Sequence, residues 1–209
     1  MASIPYAYVP DTGPVGVFTP SNIVRNERDG FFYALVYRNI RNQTIGNCLI
    51  RTRDLGDPSS WRAWSGGSSF ATSFVDPYGS NPNPIARLCA PVSRADPQDL
   101  QPNSLTWNTE ARQWLLVGQA VDGAYFSLSP DLITWTRPQR FFEAQTTWDY
   151  SCGRPDPFAY PSLIDPTSPS RNFETSGATA YVYFTQFHYA NCQQGLDRDL
   201  VRVPIAIRP

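Results

Sequence analysis

The side chains best suited to acid–base chemistry are concentrated in one stretch, TTWDYSCGRPDPFAYPS, which runs from Thr146 to Ser162. Its carboxylates could divide the acid and base roles of glycoside cleavage, and aromatic rings beside an arginine can hold a sugar. The stretch therefore predicts a carbohydrate subsite with Asp149 and Asp156 as candidate catalytic groups and with substrate contacts from Trp148, Tyr150, Arg154 and Tyr160. Because Cys152 lies inside it, the alternative is a structural loop that a disulfide fixes in place.

Further polar candidates lie near prolines, in segments predicted to be first strands. Asn22, Asn103, Tyr160, Ser162 and Asp165 lie on or beside these segments. Amide, phenol and hydroxyl groups suit the hydroxyls of a sugar. Asn22, Asn103 and Ser162 are therefore candidate substrate contacts alongside Tyr160. The alternative is that these groups hold ordered water in a polar channel.

The elements that would position these residues form a unit that occurs three times. Each copy begins around a proline, in TPSNIVRN (Thr19–Asn26), QPNSLTWN (Gln101–Asn108) and YPSLIDP (Tyr160–Pro166). A turn follows, and then a strongly apolar strand: FFYALVY, WLLVGQA or AYVYFTQF. A third strand leads to Asp-Leu, and the first two copies add a fourth strand after a Trp. Repeats of four short antiparallel strands are typical of propeller blades.

The repeat predicts an all-β fold, a β-propeller of four-stranded antiparallel blades with about three blades in this chain, at 14–66, 100–142 and 158–208. We expect residues 1–209 to form one partial propeller domain with long inter-blade loops at Gly66–Leu100 and Phe141–Ala159. Propellers have about four to eight blades. We therefore expect further N-terminal blades or a partner chain to complete the ring, unless loops cap the arc. The opening YAYVPDTGPVG is typical of the end of a preceding blade.

The repeated Asp-Leu has a structural interpretation. We expect Asp54, Asp131 and Asp199 to bond nearby main-chain N–H groups in a turn after the third strand, with the following Trp packed between blades. These aspartates would then lie on the outer rim, away from any axis. The single histidine, His188, is also interpreted as structural, because no Gly-x-Ser-x-Gly nucleophile motif accompanies it.

Composition narrows the classes of function. The formal net charge is −1, so we expect binding neither to nucleic acid nor to an anionic membrane, and no apolar segment is long enough to span a bilayer. One histidine and cysteines without C-x-x-C spacing predict no metal and no other cofactor.

The four cysteines predict disulfides and hence an oxidising, extracytoplasmic compartment. Three pairings are open, and we favour Cys48–Cys89 with Cys152–Cys192, because each bridge would staple a long loop. The first ten residues, MASIPYAYVP, lack the basic and apolar regions of a secretory signal. A truncated N-terminus would remove that conflict.

Several of these segments resemble one known superfamily. GVFTPSNIVRNERDGFFYALVY (Gly16–Tyr37) resembles a blade of the five-bladed glycosidases of the arabinanase, xylosidase and levansucrase/invertase type. The segment from Tyr160 onward resembles the closing blade of bacterial secreted proteins with that fold. SPDLITW is similar to a sialidase Asp-box in Ser129, Asp131 and Trp135, without the glycine and one residue shorter. The resemblance covers Gly16 to Arg208 and about three of the family's five blades.

The resemblance implies a secreted, carbohydrate-active protein that acts on or binds an oligosaccharide or polysaccharide. In that superfamily, three carboxylates from successive first strands meet on the central axis, with the general acid just before a first-strand proline. Thr19 occupies the general-acid position here, and Asn103, Ser104 and Ser162 supply no carboxylate either. The resemblance therefore leaves two alternatives: a glycoside hydrolase, or a non-catalytic propeller module for glycan binding, protein binding or assembly.

Overall fold

A computed structural model describes residues 16–39, 46–72, 89–93 and 100–208. In these ranges the chain forms three separate β-sheets in chain order, with two short 3-10 turns and no α-helix. The predicted opening strand end and the start of blade 1 before Gly16 lie outside the described residues. No helix in the described part has the length and hydrophobicity needed to cross a lipid bilayer.

Blade 1 contains four strands in the order of a propeller blade and two short additions. Its main path is β1 (Gly16–Pro20), β3 (Phe31–Asn39), β4 (Gly46–Thr52) and β5 (Arg62–Ala63). The additions are β2 (Val24–Asn26), which pairs with β3, and β6 (Pro91–Ser93), which pairs with β4. The apolar segment FFYALVY therefore becomes the second strand on the main path, as the repeat predicts.

Blade 2 is a four-stranded antiparallel meander. Its strands are β7 (Gln101–Asn108), β8 (Gln113–Ala120), β9 (Gly123–Ser129) and β10 (Gln139–Glu143). The free edge of β7 receives a two-residue strand from the third repeat, β12 (Thr175–Ser176), in parallel orientation. The third repeat therefore contributes a segment to the inner edge of the second blade.

Blade 3 has three strands in the described part of the chain: β11 (Phe158–Ile164), β13 (Thr179–Ala190) and β14 (Gln193–Ala206). The sequence likewise offered a fourth strand only in the first two copies. The chain is thus all-β and forms about three antiparallel propeller blades, which confirms the predicted fold class.

Successive side chains of a second strand point to opposite faces of the blade and pack against the two neighbouring blades. In β8, Trp114 and Leu116 pack toward blade 1, whereas Leu115 and Val117 pack toward blade 3. A strand buried on both faces has a nearly continuous apolar sequence, which explains WLLVGQA. The seam between blades 2 and 3 opens into an apolar cleft of about 540 Å³, lined in part by Phe126, Phe141, Val203 and Ile205.

The two ends of the arc differ. On the face of blade 1 that points away from blade 2, Ala34, Val36 and Ile50 are buried, and Cys89 from the following loop belongs to the same cluster. On blade 3, by contrast, nearly all of β14 is exposed, and Leu196 and Leu200 are 87% and 75% accessible. A loop therefore contributes to the cover of the first end, while the last strand of the arc is open.

The Asp-Leu turns follow the sequence prediction in two of three copies. Asp54 accepts a hydrogen bond from the main-chain N–H of Gly56, and Asp131 accepts from those of Ile133 and Thr134. The prediction for Asp199 is wrong, because β14 continues through this residue and Asp199 pairs with Gln186. The long hairpin of blade 3 supplies main-chain partners there, so no turn forms.

Candidate functional site

Both predicted disulfides form, and both lie toward the same end of the blades. Cys48–Cys89 is attached to the start of β4, and Cys152–Cys192 follows the end of β13. The first strands of blades 2 and 3 also begin at this end, since Gln101 pairs with Gln119 and Phe158 pairs with Gln186. We call it the disulfide end. The long loop between blades 2 and 3 also begins and ends here.

Two first strands carry strained residues at equivalent positions. Thr19 and Tyr160 each stand directly before a proline and adopt positive φ angles, 47° and 62°. The strand register shifts at each of these sites and also at Asn103 in blade 2. Positive φ is uncommon for residues other than glycine, and such strain is concentrated at functional sites. The bulges turn first-strand side chains out of the regular alternation.

Tyr160 is presented to solvent from a fixed main chain. Its N–H donates to Oε1 of Gln119, 2.9 Å away, and the Gln119 side chain is buried in blade 2. Tyr160 is 59% accessible, and its ring centroid lies 6.5 Å from that of Phe187. A large aromatic held in this way offers a flat face at little further entropic cost.

Three oxygen atoms on the first strands of blades 1 and 2 are buried without a hydrogen-bond partner among the described residues: Oγ1 of Thr19, Oδ1 of Asn103 and Oγ1 of Thr106. Those of Thr19 and Asn103 lie at the register shifts described above. Buried polar atoms are nearly always paired, so each unpaired one calls for an explanation. Ser162, also on a first strand, makes only a long contact of 3.5 Å to the main-chain oxygen of Tyr160. These residues give the disulfide end unused hydrogen-bonding capacity.

The aromatic-rich loop packs beside the first strand of blade 3. Thr146 forms a parallel bridge with Phe158, and Oγ1 of Thr146 contacts the main-chain oxygen of Val121. The loop then makes a 3-10 turn, Thr147–Asp149, whose Trp148 side chain is 45% accessible. The structure thus places an exposed tryptophan in the loop that packs at the end where β11 begins.

The remaining loop candidates have different surroundings. Asp149 and Arg154 are exposed, and the main-chain oxygen of Asp149 accepts from Nε2 of Gln145 at 3.3 Å. Tyr150 stacks on Tyr189, with ring centroids 4.0 Å apart. Asp156 lies in a separate cluster with His188. The two candidate catalytic aspartates therefore differ, one exposed to solvent and the other tied into a hydrogen-bonded network.

The imidazole of His188 lies between two carboxylates. Nδ1 is 2.8 Å from Oδ2 of Asp156, and Nε2 is 3.0 Å from Oδ2 of Asp199. Both ring nitrogens can donate only in the imidazolium form. The hydrogen bonds to Asp199 and then Asp156 raise the pKa of His188, and the bond from His188 lowers the pKa of Asp156. We call the three side chains of Asp156, His188 and Asp199 the clasp. The clasp joins the aromatic-rich loop to the hairpin of blade 3.

The clasp predicts a measurable pH dependence. The raised pKa of His188 stabilises the fold below the ordinary value of 6.5, and this contribution is lost as pH rises through the folded-state pKa. The lowered pKa of Asp156 acts in the opposite sense: its contribution is present above the ordinary value of 3.8 and is lost as pH falls through the folded-state pKa. Proton NMR titration of His188 should give a pKa above 6.5, and Asp199→Asn should lower it. Asp197→Asn, which removes only a more distant charge, should lower it less, and equal shifts would contradict the geometry.

Asn22 lies in a network at the other end of the first strand. Its Nδ2 donates to the main-chain oxygens of Leu105 and Asn172, both at 3.0 Å, and its Oδ1 accepts from the N–H of Leu105 at 2.7 Å. Both amide hydrogens are therefore used between blades. Asn172 belongs to a segment, residues 165–178, that we call the strap. The strap is also tied to blade 1 through Glu174, which accepts from the N–H of Arg25.

In the described part of the chain, every carboxyl group with a clearly shifted pKa has a lowered one. Bonds from Ser59 and from His188 lower the pKa values of Asp57 and Asp156. Burial opposes ionisation of Asp131 and Asp165, yet hydrogen bonds from neighbouring groups lower the pKa of each. A general acid in glycoside cleavage needs a raised pKa. These four groups are suited to accept hydrogen bonds or act as bases.

Comparison with known proteins yields a match in fold. No family model matches the sequence, and neither does any curated protein. Among solved structures, the catalytic domain of Coprinopsis cinerea GH62 alpha-L-arabinofuranosidase is similar at 14% identity and a TM-score of 0.52, over 95% of this chain and 49% of that one. A thermostable family-43 glycoside hydrolase gives 12% identity and a TM-score of 0.46, over 95% and 56%.

The chain spans about half the length of these solved structures. At such low identity the likeness concerns the fold alone. The chain therefore has the fold of part of a five-bladed propeller, similar to that of the arabinofuranosidase catalytic domain, with about three blades described here.

Proposed function

We propose that this chain is a carbohydrate-binding propeller module whose glycan contacts lie at the disulfide end of the first strands. The observation that carries the proposal is the pair of strained pre-proline residues, Thr19 and Tyr160, at equivalent positions in two blades. Strain of this kind is retained where surrounding structure fixes a useful side-chain position. The exposed Trp148 lies in the loop against that end.

The available groups suit a neutral polyhydroxylated ligand. Trp148 and Tyr160 offer aromatic faces for the apolar face of a sugar ring. Ser162 can donate a hydrogen bond to a sugar hydroxyl. The unpaired oxygens of Thr19 and Asn103 are buried, so they would accept such bonds only after their side chains rotate. Arg154 is exposed on the adjoining loop and adds donors. Asn22 is assigned to blade packing, because its amide hydrogens already bond Leu105 and Asn172.

Hydrolysis by Asp149 and Asp156 is the second candidate function. It is favoured by the likeness in fold to the catalytic domain of an arabinofuranosidase. The ionised state of Asp156 would suit a base or nucleophile, with the exposed Asp149 as its partner. Two features favour binding over hydrolysis: Asp156 is occupied by His188 and Tyr189, and Thr19 stands at the position that the family resemblance gives to the acid.

An activity assay with two aspartate variants distinguishes a binding function from a catalytic one. The parent chain is incubated with aryl glycosides and with arabinan and arabinoxylan, and released reducing sugar is measured. We expect no release above background, and Asp149→Asn and Asp156→Asn should leave polysaccharide affinity within about threefold. Release that disappears in both variants would establish hydrolysis in place of a binding module.

The binding proposal is tested by affinity electrophoresis in gels that contain arabinan, arabinoxylan or another neutral polysaccharide. Trp148→Ala and Tyr160→Ala should each weaken retardation by about tenfold or more in dissociation constant, equivalent to about 1.4 kcal/mol. Phe141→Ala removes an aromatic of similar exposure from β10 and should leave affinity unchanged. Equal retardation of all three variants would contradict the proposed location.

The setting proposed for the module is extracytoplasmic, because two disulfides persist best in an oxidising compartment. We further propose that additional blades or a partner chain complete the ring next to blade 3. The exposure of Leu196 and Leu200 on the last strand supports this proposal.

A further inference from the structure

An arginine cluster lies at the end of blade 1 opposite the disulfides. It comprises Arg51 at the end of β4, Arg53 just beyond it, and Arg28 in the turn before β3. In the described part of the chain, none of these three guanidinium groups forms an ion pair with a carboxylate. Their contacts are instead with aromatic rings. The cluster is therefore positively charged and anchored on apolar groups.

Arg51 is the best-ordered member of the cluster. Its guanidinium carbon lies 4.1 Å from the ring centroid of Phe31 and 3.8 Å from that of Phe70, so the planar group contacts two rings. Among the described residues its hydrogen bonding is limited to Nη1, which donates to the phenol oxygen of Tyr33 at 3.3 Å. Most of its five N–H donors remain available along the edge of the plane.

Arg53 places a second positive charge on the same ring. Its guanidinium carbon lies 4.4 Å from the centroid of Phe31, and Nη2 makes only a long 3.5 Å contact to the main-chain oxygen of Asp29. Two cations that share a ring repel one another, and a bridging anion relieves that repulsion. Arg28 extends the cluster toward blade 2, where it lies 4.8 Å from the ring centroid of Trp107.

The nearby carboxylate of Asp29 does not neutralise the cluster. Its Oδ1 accepts from the N–H of Phe31, and its Oδ2 accepts from Asn26 and from the phenol of Tyr33 at 2.8 Å. Asp29 is thus committed to its turn, Glu27 pairs with Arg25 at 3.6 Å, and Asp54 accepts from the N–H of Gly56. An external oxyanion would find donors whose positions are already fixed, which lowers the entropic cost of binding.

We propose that the arginine cluster binds the carboxylates of an acidic polysaccharide, a polymer of uronic acid. Planar guanidinium groups pair with carboxylates in a bidentate fashion, and Phe31 and Phe70 hold the Arg51 plane in position. The choice of a glycan rests on the proposed function of the chain. The net charge of −1 disfavours a nucleic acid as the polyanion. This site is separate from the neutral-sugar contacts at the disulfide end.

The test measures binding of polygalacturonate, fully methyl-esterified pectin and neutral arabinan by calorimetry at low and high salt. The parent chain should bind polygalacturonate at least tenfold more tightly than the esterified polymer. Arg53→Gln should reduce polygalacturonate affinity at least fivefold and flatten its salt dependence. Arg51→Lys keeps the charge but loses the planar fork, and should also reduce affinity. Arg208→Gln, an exposed arginine near the C-terminus, should have no effect.

The outcomes separate this proposal from the proposed function. Unchanged polygalacturonate affinity in Arg53→Gln and Arg51→Lys, with both variants folded by circular dichroism, would overturn the arginine site. Tighter binding of a DNA oligonucleotide or of inorganic phosphate than of polygalacturonate would overturn its assignment to a uronic acid. Arabinan binding by Trp148→Ala tests only the site at the disulfide end. If that site is disproved, the polygalacturonate results for the arginine variants can still be interpreted.

Discussion

Replacing Phe158 by alanine is expected to lower the free energy of unfolding by about 3–5 kcal/mol, the range for a fully buried phenylalanine. Phe158 begins the first strand of blade 3 and is 1% accessible. Its ring makes edge contacts with Phe142 of blade 2, at 5.6 Å between centroids, and with Phe184 of blade 3, at 5.9 Å. Its removal would leave a cavity where two blades meet.

Urea denaturation followed by tryptophan fluorescence measures this loss. Phe141→Ala is the matched control, because Phe141 lies in the neighbouring strand β10 with 37% of its surface accessible. The control should change the free energy of unfolding by less than about 1 kcal/mol. Similar losses in both variants would show that Phe158 does not occupy the seam.

Removal of the Cys48–Cys89 disulfide should have an effect of comparable size. The bridge joins residues separated by 41 positions, and a loop of that length gives about 4 kcal/mol from the reduced entropy of the unfolded chain. Cys48 and Cys89 are both buried in the apolar cluster on the far face of blade 1. The bridge therefore also fastens the segment around Cys89 onto the far face of blade 1.

The double variant Cys48→Ala/Cys89→Ala keeps the second disulfide and most of the buried volume. Its thermal midpoint should fall well below that of the parent chain, and a reducing agent should lower the parent further, because Cys152–Cys192 also opens. A midpoint within about 2 °C of the parent would show that the loop is held by packing without the bridge.

The blade architecture follows from local patterns in the sequence. The side chains of the apolar run WLLVGQA pack alternately into two seams, and a run of this length bounded by turns is typical of a strand buried on both faces. Asp54 and Asp131 form their turns with residues two or three positions away, so the sequence is sufficient to predict them. The disulfides Cys48–Cys89 and Cys152–Cys192 form as predicted. The prediction was possible because each bridge closes one long loop.

Contacts between distant parts of the chain could not be predicted from the sequence. Asp199 matches the repeat in spacing, yet the strand pairing of the blade 3 hairpin overrides the local turn preference and brings Asp199 to His188. Asn22 lies just beyond the first strand β1, but the strap supplies Asn172 from a separation of 150 residues. The single histidine was the one feature of the sequence that pointed to the clasp, and no spacing rule predicts which aspartates it contacts.

The site at the disulfide end was predictable in part. Residue types alone selected Trp148, Asn103 and Tyr160 from the sequence. The positive φ angles of Thr19 and Tyr160 could not be predicted, because a residue before proline ordinarily adopts extended backbone. Departures from a local rule of this kind are expected at functional sites, and Thr19 and Tyr160 are therefore the residues that carry the proposal.

The most direct test of a glycan site at the disulfide end is amide hydrogen exchange with and without a saturating neutral oligosaccharide. Peptides that cover residues 16–22, 100–104 and 146–162 should gain protection from the ligand, while the outer strands β5 and β10 should exchange as before. Absence of binding to every neutral glycan tested, or protection confined to the outer strands, would contradict the account.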